Sequence, residues 1–137
     1  MNVTRKPPVL VIDGDRFDDY EGFTREFSSL LDDHRWHGNL DAFSDILSGG
    51  FGTPEEGFTL RWDHSDRSRR VLGHRAQADL LRAALPHVHP DNARGFRARI
   101  AHAEHGRGPT LFDTITEIIR EHRPGGPLPG NVVLTLV

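Results

Sequence analysis

The sequence predicts one α/β domain built on a three-stranded parallel sheet flanked by helices. Short apolar runs typical of strands occur at the start, in the middle and at the end of the chain, over residues 8–13, 57–62 and 131–137. Apolar residues recur at helical spacing between these runs, and a strand followed by helices and a further strand forms a parallel βαβ unit. With 137 residues, 36 % of them hydrophobic, the chain suits a single domain spanning residues 1–137.

The first strand is a continuous apolar run that ends at Asp13 and Gly14. Such a run favours a strand buried on both faces of the sheet. Asp13 and Asp15 flank the glycine, and paired carboxylates there also suit a metal ion. Aspartate is common in turns, so a turn is the preferred interpretation and no metal site is predicted. The next segment, residues 17–31, predicts a helix with an aromatic stripe facing the core.

The stretch from Trp36 to Leu47 predicts a short helix that is preceded by a loop. Gly38 permits a turn, and Asn39 is a residue type that caps helices. One side of the helix requires a core, because apolar residues recur there at helical spacing, whereas Asp41 and Asp45 fall on the opposite side. The helix dipole favours an acid in the first turn, which accounts for Asp41 but not for Asp45. The acidic face therefore indicates either a solvated surface or a cationic partner.

The second half of the chain adds further helices. A short helix begins near Ser65, after the second strand. The segment 71–109 predicts a helical pair over residues 76–85 and 92–105, with prolines breaking the first helix and arginines on the second. A last helix, residues 110–122, leads through a loop rich in proline and glycine to the closing strand.

A family resemblance is carried by the run Asn39-Leu40-Asp41-Ala42, which is followed by Asp45 and preceded by a loop with an aromatic residue and a glycine. This pattern resembles the signature of the barstar family, small intracellular inhibitors of secreted bacterial ribonucleases. Other segments are similar to the family's strands and last helix in type and order: residues 11–14, 57–62, 112–122 and 132–137. The segment 71–109 is not covered by the resemblance and is interpreted as an inserted helical pair.

The resemblance implies that the acidic helix face blocks the basic active site of a ribonuclease or nuclease toxin. Asp45 is implied as the central contact, Asp41 lies one turn earlier, and Glu121 corresponds to an acid in the family's last helix. Arg35 and Ser44 replace aromatic residues of the family pattern. The remaining partner-binding residues that the resemblance implies come from the preceding loop: Trp36, His37, Gly38 and Asn39.

Other function classes lack support in the sequence. It contains no phosphate-binding glycine loop and no hydrolase or metalloprotease motif, so neither an enzyme nor a cofactor is predicted. The histidine pairs 34/37 and 87/89 have no third metal ligand nearby. The arginines of segment 71–109 have few aromatic residues among them, which disfavours direct nucleic-acid binding. No membrane-length apolar run, signal segment or cysteine is present, so we expect a cytoplasmic protein that is monomeric when free.

Charge is unevenly distributed along the chain. Residues 1–58 contain twelve acidic and five basic residues, whereas residues 59–137 contain eight acidic and twelve basic ones. This asymmetry indicates two different surfaces. It leaves a second hypothesis open, in which the protein is an interaction module of the same fold that binds a non-nuclease partner through the inserted helical pair.

Overall fold

A computed structural model describes residues 7–137. The first six residues of the domain predicted over residues 1–137 lie outside this described part. The elements in chain order are β1 (Val9–Asp13), α1 (Tyr20–Ser28), α2 (Leu40–Ser48), β2 (Phe58–Asp63), α3 (Ser65–Val71), α4 (His74–Ala84), α5 (Pro90–Glu104), α6 (Leu111–Glu121) and β3 (Val132–Leu136). A single 3₁₀ turn, Leu85–His87, joins α4 to α5.

The three strands form one parallel sheet in the order β1-β2-β3. Leu60 of β2 lies opposite Leu10 on one side and Leu134 on the other. The predicted fold class is confirmed, and each strand begins and ends within one residue of its predicted bounds. α1 is shorter than predicted because the side chain of Asp19 accepts a hydrogen bond from the Gly22 amide and begins the helix at Tyr20.

The core lies on one face of the sheet. Along β2, buried side chains alternate with Thr59, Arg61 and Asp63, which lie on the other face. On that second face Val9 and Val133 are 53 % and 45 % exposed, so the prediction that β1 is buried on both faces is wrong. The physical reason is topological. Both crossovers step across the sheet in the same direction, and crossovers with the usual right-handed sense then place their helices on the same side.

Aromatic rings dominate the packing between sheet and helices. Phe23 of α1 stacks on Trp62 of β2, with ring centroids 5.2 Å apart, and Phe112 of α6 packs edge-on against the same indole at 5.0 Å. The indole nitrogen of Trp62 donates a hydrogen bond to the hydroxyl of Ser68. Phe27 and Phe43 bring α1 and α2 together, with centroids 4.8 Å apart. These contacts fix the position of α2 on the core.

Replacing Gly14 or Gly95 by alanine is expected to change the stability of the fold in opposite directions. A Cβ atom on Gly14 would lie 2.6 Å from the carbonyl oxygen of Asp63 and 2.7 Å from that of His64, whereas one on Gly95 in α5 would meet nothing within 4 Å. We expect Gly14→Ala to lower the free energy of unfolding by about 1–3 kcal/mol through overpacking, and Gly95→Ala to raise it by about 1 kcal/mol through helix propensity. Chemical denaturation measures both variants, and changes of the same sign would contradict the packing described.

α4 and α5 form the helical pair that the sequence predicts over residues 71–109. The pair leaves and rejoins the rest of the chain at one place, because the amides of Leu111 and Phe112 donate to the carbonyls of Gly73 and Leu72 at 3.2 and 2.8 Å. α4 lies against α6, where the hydroxyl of Thr114 donates to the side-chain oxygen of Gln77. We name this pair the helical hairpin. Its contact with α6 places it beside the start of α2.

Candidate functional site

α2 presents two carboxylates to solvent. The side-chain oxygen of Asn39 accepts a hydrogen bond from the Ala42 amide at 2.9 Å and caps the helix. The inner face of α2 is buried in the core through Phe43, Ile46 and Leu47. Asp41 and Asp45, one turn apart, are both exposed. The orientation of the two acids therefore follows from the burial of the opposite face.

Neither carboxylate of α2 is neutralised within the described part of the chain. The ion pairs formed among residues 7–137 involve other acids. Like charges one helical turn apart repel each other by a few tenths of a kcal/mol in water. Asp41 gains from the helix dipole, but Asp45 in the second turn gains little. The acidic face is therefore available to a cationic partner.

The loop that precedes α2, residues 35–39, is held by hydrogen bonds from α1 and from its own tryptophan. The hydroxyl of Tyr20 donates to the carbonyl of Gly38 at 2.5 Å, and Ser28 bonds both the amide and the carbonyl of Trp36. The indole nitrogen of Trp36 donates to the carbonyl of Asn39 at 2.7 Å. Burial raises the pKa of Tyr20 well above its ordinary value, so its hydroxyl remains protonated and able to donate.

The position of Trp36 does not fit the role of a partner contact that the resemblance implies. Its side chain is only 2 % exposed and lies in the core against the rings of Phe23, Phe27 and Phe43. An indole in this position offers no surface to a partner. The structure assigns it instead to packing and to holding the loop before α2.

The other residues of loop 35–39 have accessible side chains or backbone. Arg35, His37 and Asn39 are exposed, and Gly38 is partly exposed. Gly38 has a φ of +98°, a conformation that residues with a Cβ rarely adopt. Because this angle turns the chain into α2, glycine is required at this position.

Ser44 faces α6 and contacts a buried histidine. Its hydroxyl lies 2.8 Å from Nε2 of His122, which is 1 % exposed, and Nδ1 of the same ring lies 2.6 Å from the carbonyl of Pro129. A carbonyl oxygen can only accept, so Nδ1 carries a proton and donates to Pro129, while Nε2 shares its hydrogen bond with the Ser44 hydroxyl. The histidine thus joins α2, α6 and the loop after α6.

Glu121 is the last residue of α6 and is partly buried. It directly precedes His122, whose ring contacts the middle of α2. The structure therefore places the end of α6 beside α2. A binding surface that includes both Glu121 and Asp45 requires this arrangement. His122 was not among the predicted site residues. The signal in the sequence is its spacing, since it continues the buried stripe of Ile115 and Ile119.

Removing the Tyr20 hydroxyl tests whether α1 holds the loop. We expect Tyr20→Phe to lower the free energy of unfolding by about 1 kcal/mol, because the Gly38 carbonyl loses its buried donor while the ring packing stays. We also expect faster hydrogen exchange at the Trp36 amide, which is the hydrogen-bonded amide of this loop. Unchanged exchange would show that the Tyr20 hydrogen bond does not restrain the loop. The control is Thr24→Val, which removes a hydroxyl whose hydrogen bond lies within α1.

A separate group of titratable side chains lies at the carboxyl ends of β1 and β2. Nδ1 of His64 is 3.4 Å from Asp13 and Nε2 is 3.3 Å from Asp15. Among the described residues, this is where three side chains of metal-ligating type come within reach of one ion. All three side chains are substantially exposed, and each ring nitrogen of His64 already faces a carboxylate, so the contacts within the group do not depend on an ion.

Comparisons with known proteins assign the family. A family model described as Barstar (barnase inhibitor) matches residues 8–103, which is more than half of the chain. The matched span includes most of the segment interpreted as an insertion and stops before α6 and β3. Searches of curated proteins and of solved structures found no match. None of the helices in residues 7–137 has the length and hydrophobicity needed to cross a membrane. The chain belongs to the barstar family, whose members are inhibitors rather than enzymes.

Proposed function

We propose that this protein inhibits a ribonuclease or nuclease toxin by placing the acidic face of α2 in the active-site cleft of the enzyme. The observation that carries the proposal is the pair of exposed carboxylates, Asp41 and Asp45, which form no ion pair within the described chain. Family membership supports a ribonuclease as the partner.

The charge of a ribonuclease active site explains why an acidic helix suits it. The enzyme must bind a polyanion, so its cleft is lined with cationic side chains. Carboxylates on a preorganised helix can take the positions of the substrate phosphates without first losing conformational entropy. Opposite charges also accelerate the encounter and disfavour neutral or acidic partners.

The proposed binding surface combines three segments. Asp45 is the proposed centre, with Asp41 one turn earlier and Glu121 at the end of α6. Loop 35–39 contributes Arg35, His37, Gly38 and Asn39 at the edge. Ser44 and Trp36 support this surface from beneath, through His122 and the aromatic core respectively. No catalytic residue, metal or cofactor of this chain takes part in the proposed inhibition.

Steady-state kinetics with a panel of purified small basic ribonucleases tests the proposal. An inhibitor that occupies the cleft competes with RNA, so we expect it to raise KM without changing kcat for at least one enzyme. The association rate should fall as salt rises, because salt screens the steering charges. Asp45→Arg should abolish inhibition. Binding that leaves KM unchanged, or inhibition that survives in Asp45→Arg, would contradict a cleft-blocking mechanism.

A second candidate function rests on the helical hairpin. α5 carries Arg94, Arg97 and Arg99, and all three are exposed. A module of the same fold could bind a non-nuclease protein through this basic helix. Binding that is lost when α5 charges are reversed but is unaffected by Asp45→Arg would favour this function over inhibition.

A further inference from the structure

A groove with a volume of about 660 Å³ lies between the hairpin and the start of α2. The groove is lined by residues 37–41 at the start of α2, by α4 and α5 of the hairpin, and by Thr114 and Ile118 of α6. Four large apolar side chains that line it are only partly buried: Leu40, Leu80, Phe96 and Ile118. Their remaining exposed surface faces a space large enough for more than one side chain.

The groove is continuous with the proposed inhibitory surface. His37, Gly38, Asn39 and Asp41 line the groove and also belong to that surface. Any enzyme whose cleft receives Asp45 must therefore bring neighbouring parts of its own surface over the groove. The hairpin wall restricts which enzyme surfaces fit beside α2.

The positive charge that Arg99 adds to the groove lining indicates the chemistry of what enters it. Arg99 lines the groove, and its guanidinium carbon lies 4.3 Å from the centre of the Phe96 ring. The arginines that form ion pairs within the described chain do not include Arg99. Its N–H donors therefore remain available to a partner. A guanidinium held on an aromatic ring presents a planar fork that matches a carboxylate.

We propose that this groove is a second recognition site for the same ribonuclease, which inserts an apolar side chain flanked by a carboxylate that binds Arg99. The inference rests on the proposed inhibitory function. A nuclease that is basic over its whole surface would be repelled by the arginines of α5, whereas one with an acidic patch beside its basic cleft is attracted at both places. The groove therefore selects among basic ribonucleases that would all accept the acidic helix.

Two matched pairs of variants test the groove with the panel ribonuclease that the wild-type protein binds most tightly. Arg99→Glu reverses a charge in the groove, and Arg97→Glu makes the same change on the same helix outside the groove lining. Ala83→Tyr fills the groove from an exposed position, and Ala98→Tyr adds the same ring at an exposed position that does not line it. Thermal unfolding establishes that each variant is folded.

We expect Arg99→Glu and Ala83→Tyr each to raise the dissociation constant at least tenfold in calorimetric titration, and the two controls to change it less than threefold. If both groove variants bind like their controls while Asp45→Ala loses binding, the groove proposal is wrong and the inhibitory proposal stands. If the protein binds no ribonuclease of the panel, or binds one without needing Asp45, both proposals are wrong.

Discussion

Replacing Asp45 by alanine is expected to weaken binding to the inhibited ribonuclease by more than about 2 kcal/mol, or roughly 30-fold. Its carboxylate is exposed and forms no ion pair in the described chain, so the substitution removes nothing that holds the fold together. In the complex, by contrast, it would leave cationic groups of the enzyme buried without a counter-charge. The free energy of unfolding should change by less than about 0.5 kcal/mol, because alanine suits a helix interior.

Calorimetric titration with the ribonuclease and thermal unfolding of the free protein measure the two effects separately. Asp91→Ala is the matched control, since it removes the same charge from an exposed position at the start of α5. A large loss of stability in Asp45→Ala would make Asp45 a structural residue. Equal affinity losses in the two variants would show that only net charge matters.

Replacing Trp36 by alanine is expected to lower the free energy of unfolding by about 3–5 kcal/mol. The indole is 2 % exposed and contacts three phenylalanine rings, so truncation leaves a large cavity in the core. The carbonyl of Asn39 also loses its donor at the N-terminus of α2. An effect of this size is a large part of the stability of an ordinary domain.

Trp36→Phe separates packing from hydrogen bonding at this position. It keeps an aromatic ring in the core but loses the indole donor, and we expect a smaller loss of about 1–2 kcal/mol. Denaturant titration of the three proteins gives the comparison. If Trp36→Ala unfolds like the wild type and loses only affinity, the indole is a contact residue and its burial in the core is not its main role.

Local patterns explain why much of the fold was predictable. Strand bounds agree within one residue because apolar runs and turn residues mark them, and β1 ends at Asp13, directly before Gly14, as predicted. The cap of α2 was predictable because the side chain of Asn39 bonds the amide of Ala42, only three residues away. The outward position of Asp41 and Asp45 follows from helical spacing against the apolar face. Each of these features depends on residues a few positions apart.

Trp36 and Ser44 were harder to place because their partners are distant in sequence. A loop has no periodicity, so nothing around Trp36 indicated that its ring enters the aromatic core. Ser44 shares the polar composition of the outer face, but its partner, His122, is 78 residues away. Pro90 was predicted to lie in the break between the two helices of the pair. Instead α5 begins at this residue, because proline suits the first helical turn.

Local sequence was thus enough to specify the strands, the helices, the cap of α2 and the acidic pair that α2 presents to solvent, since neighbouring residues set helical and strand periodicity. The burial of Trp36, the bond between Ser44 and His122, the one-sided sheet and the groove beside the hairpin depended on the tertiary arrangement. Each arises where segments far apart in the chain meet, and spacing within a single segment carries no information about which segments will do so.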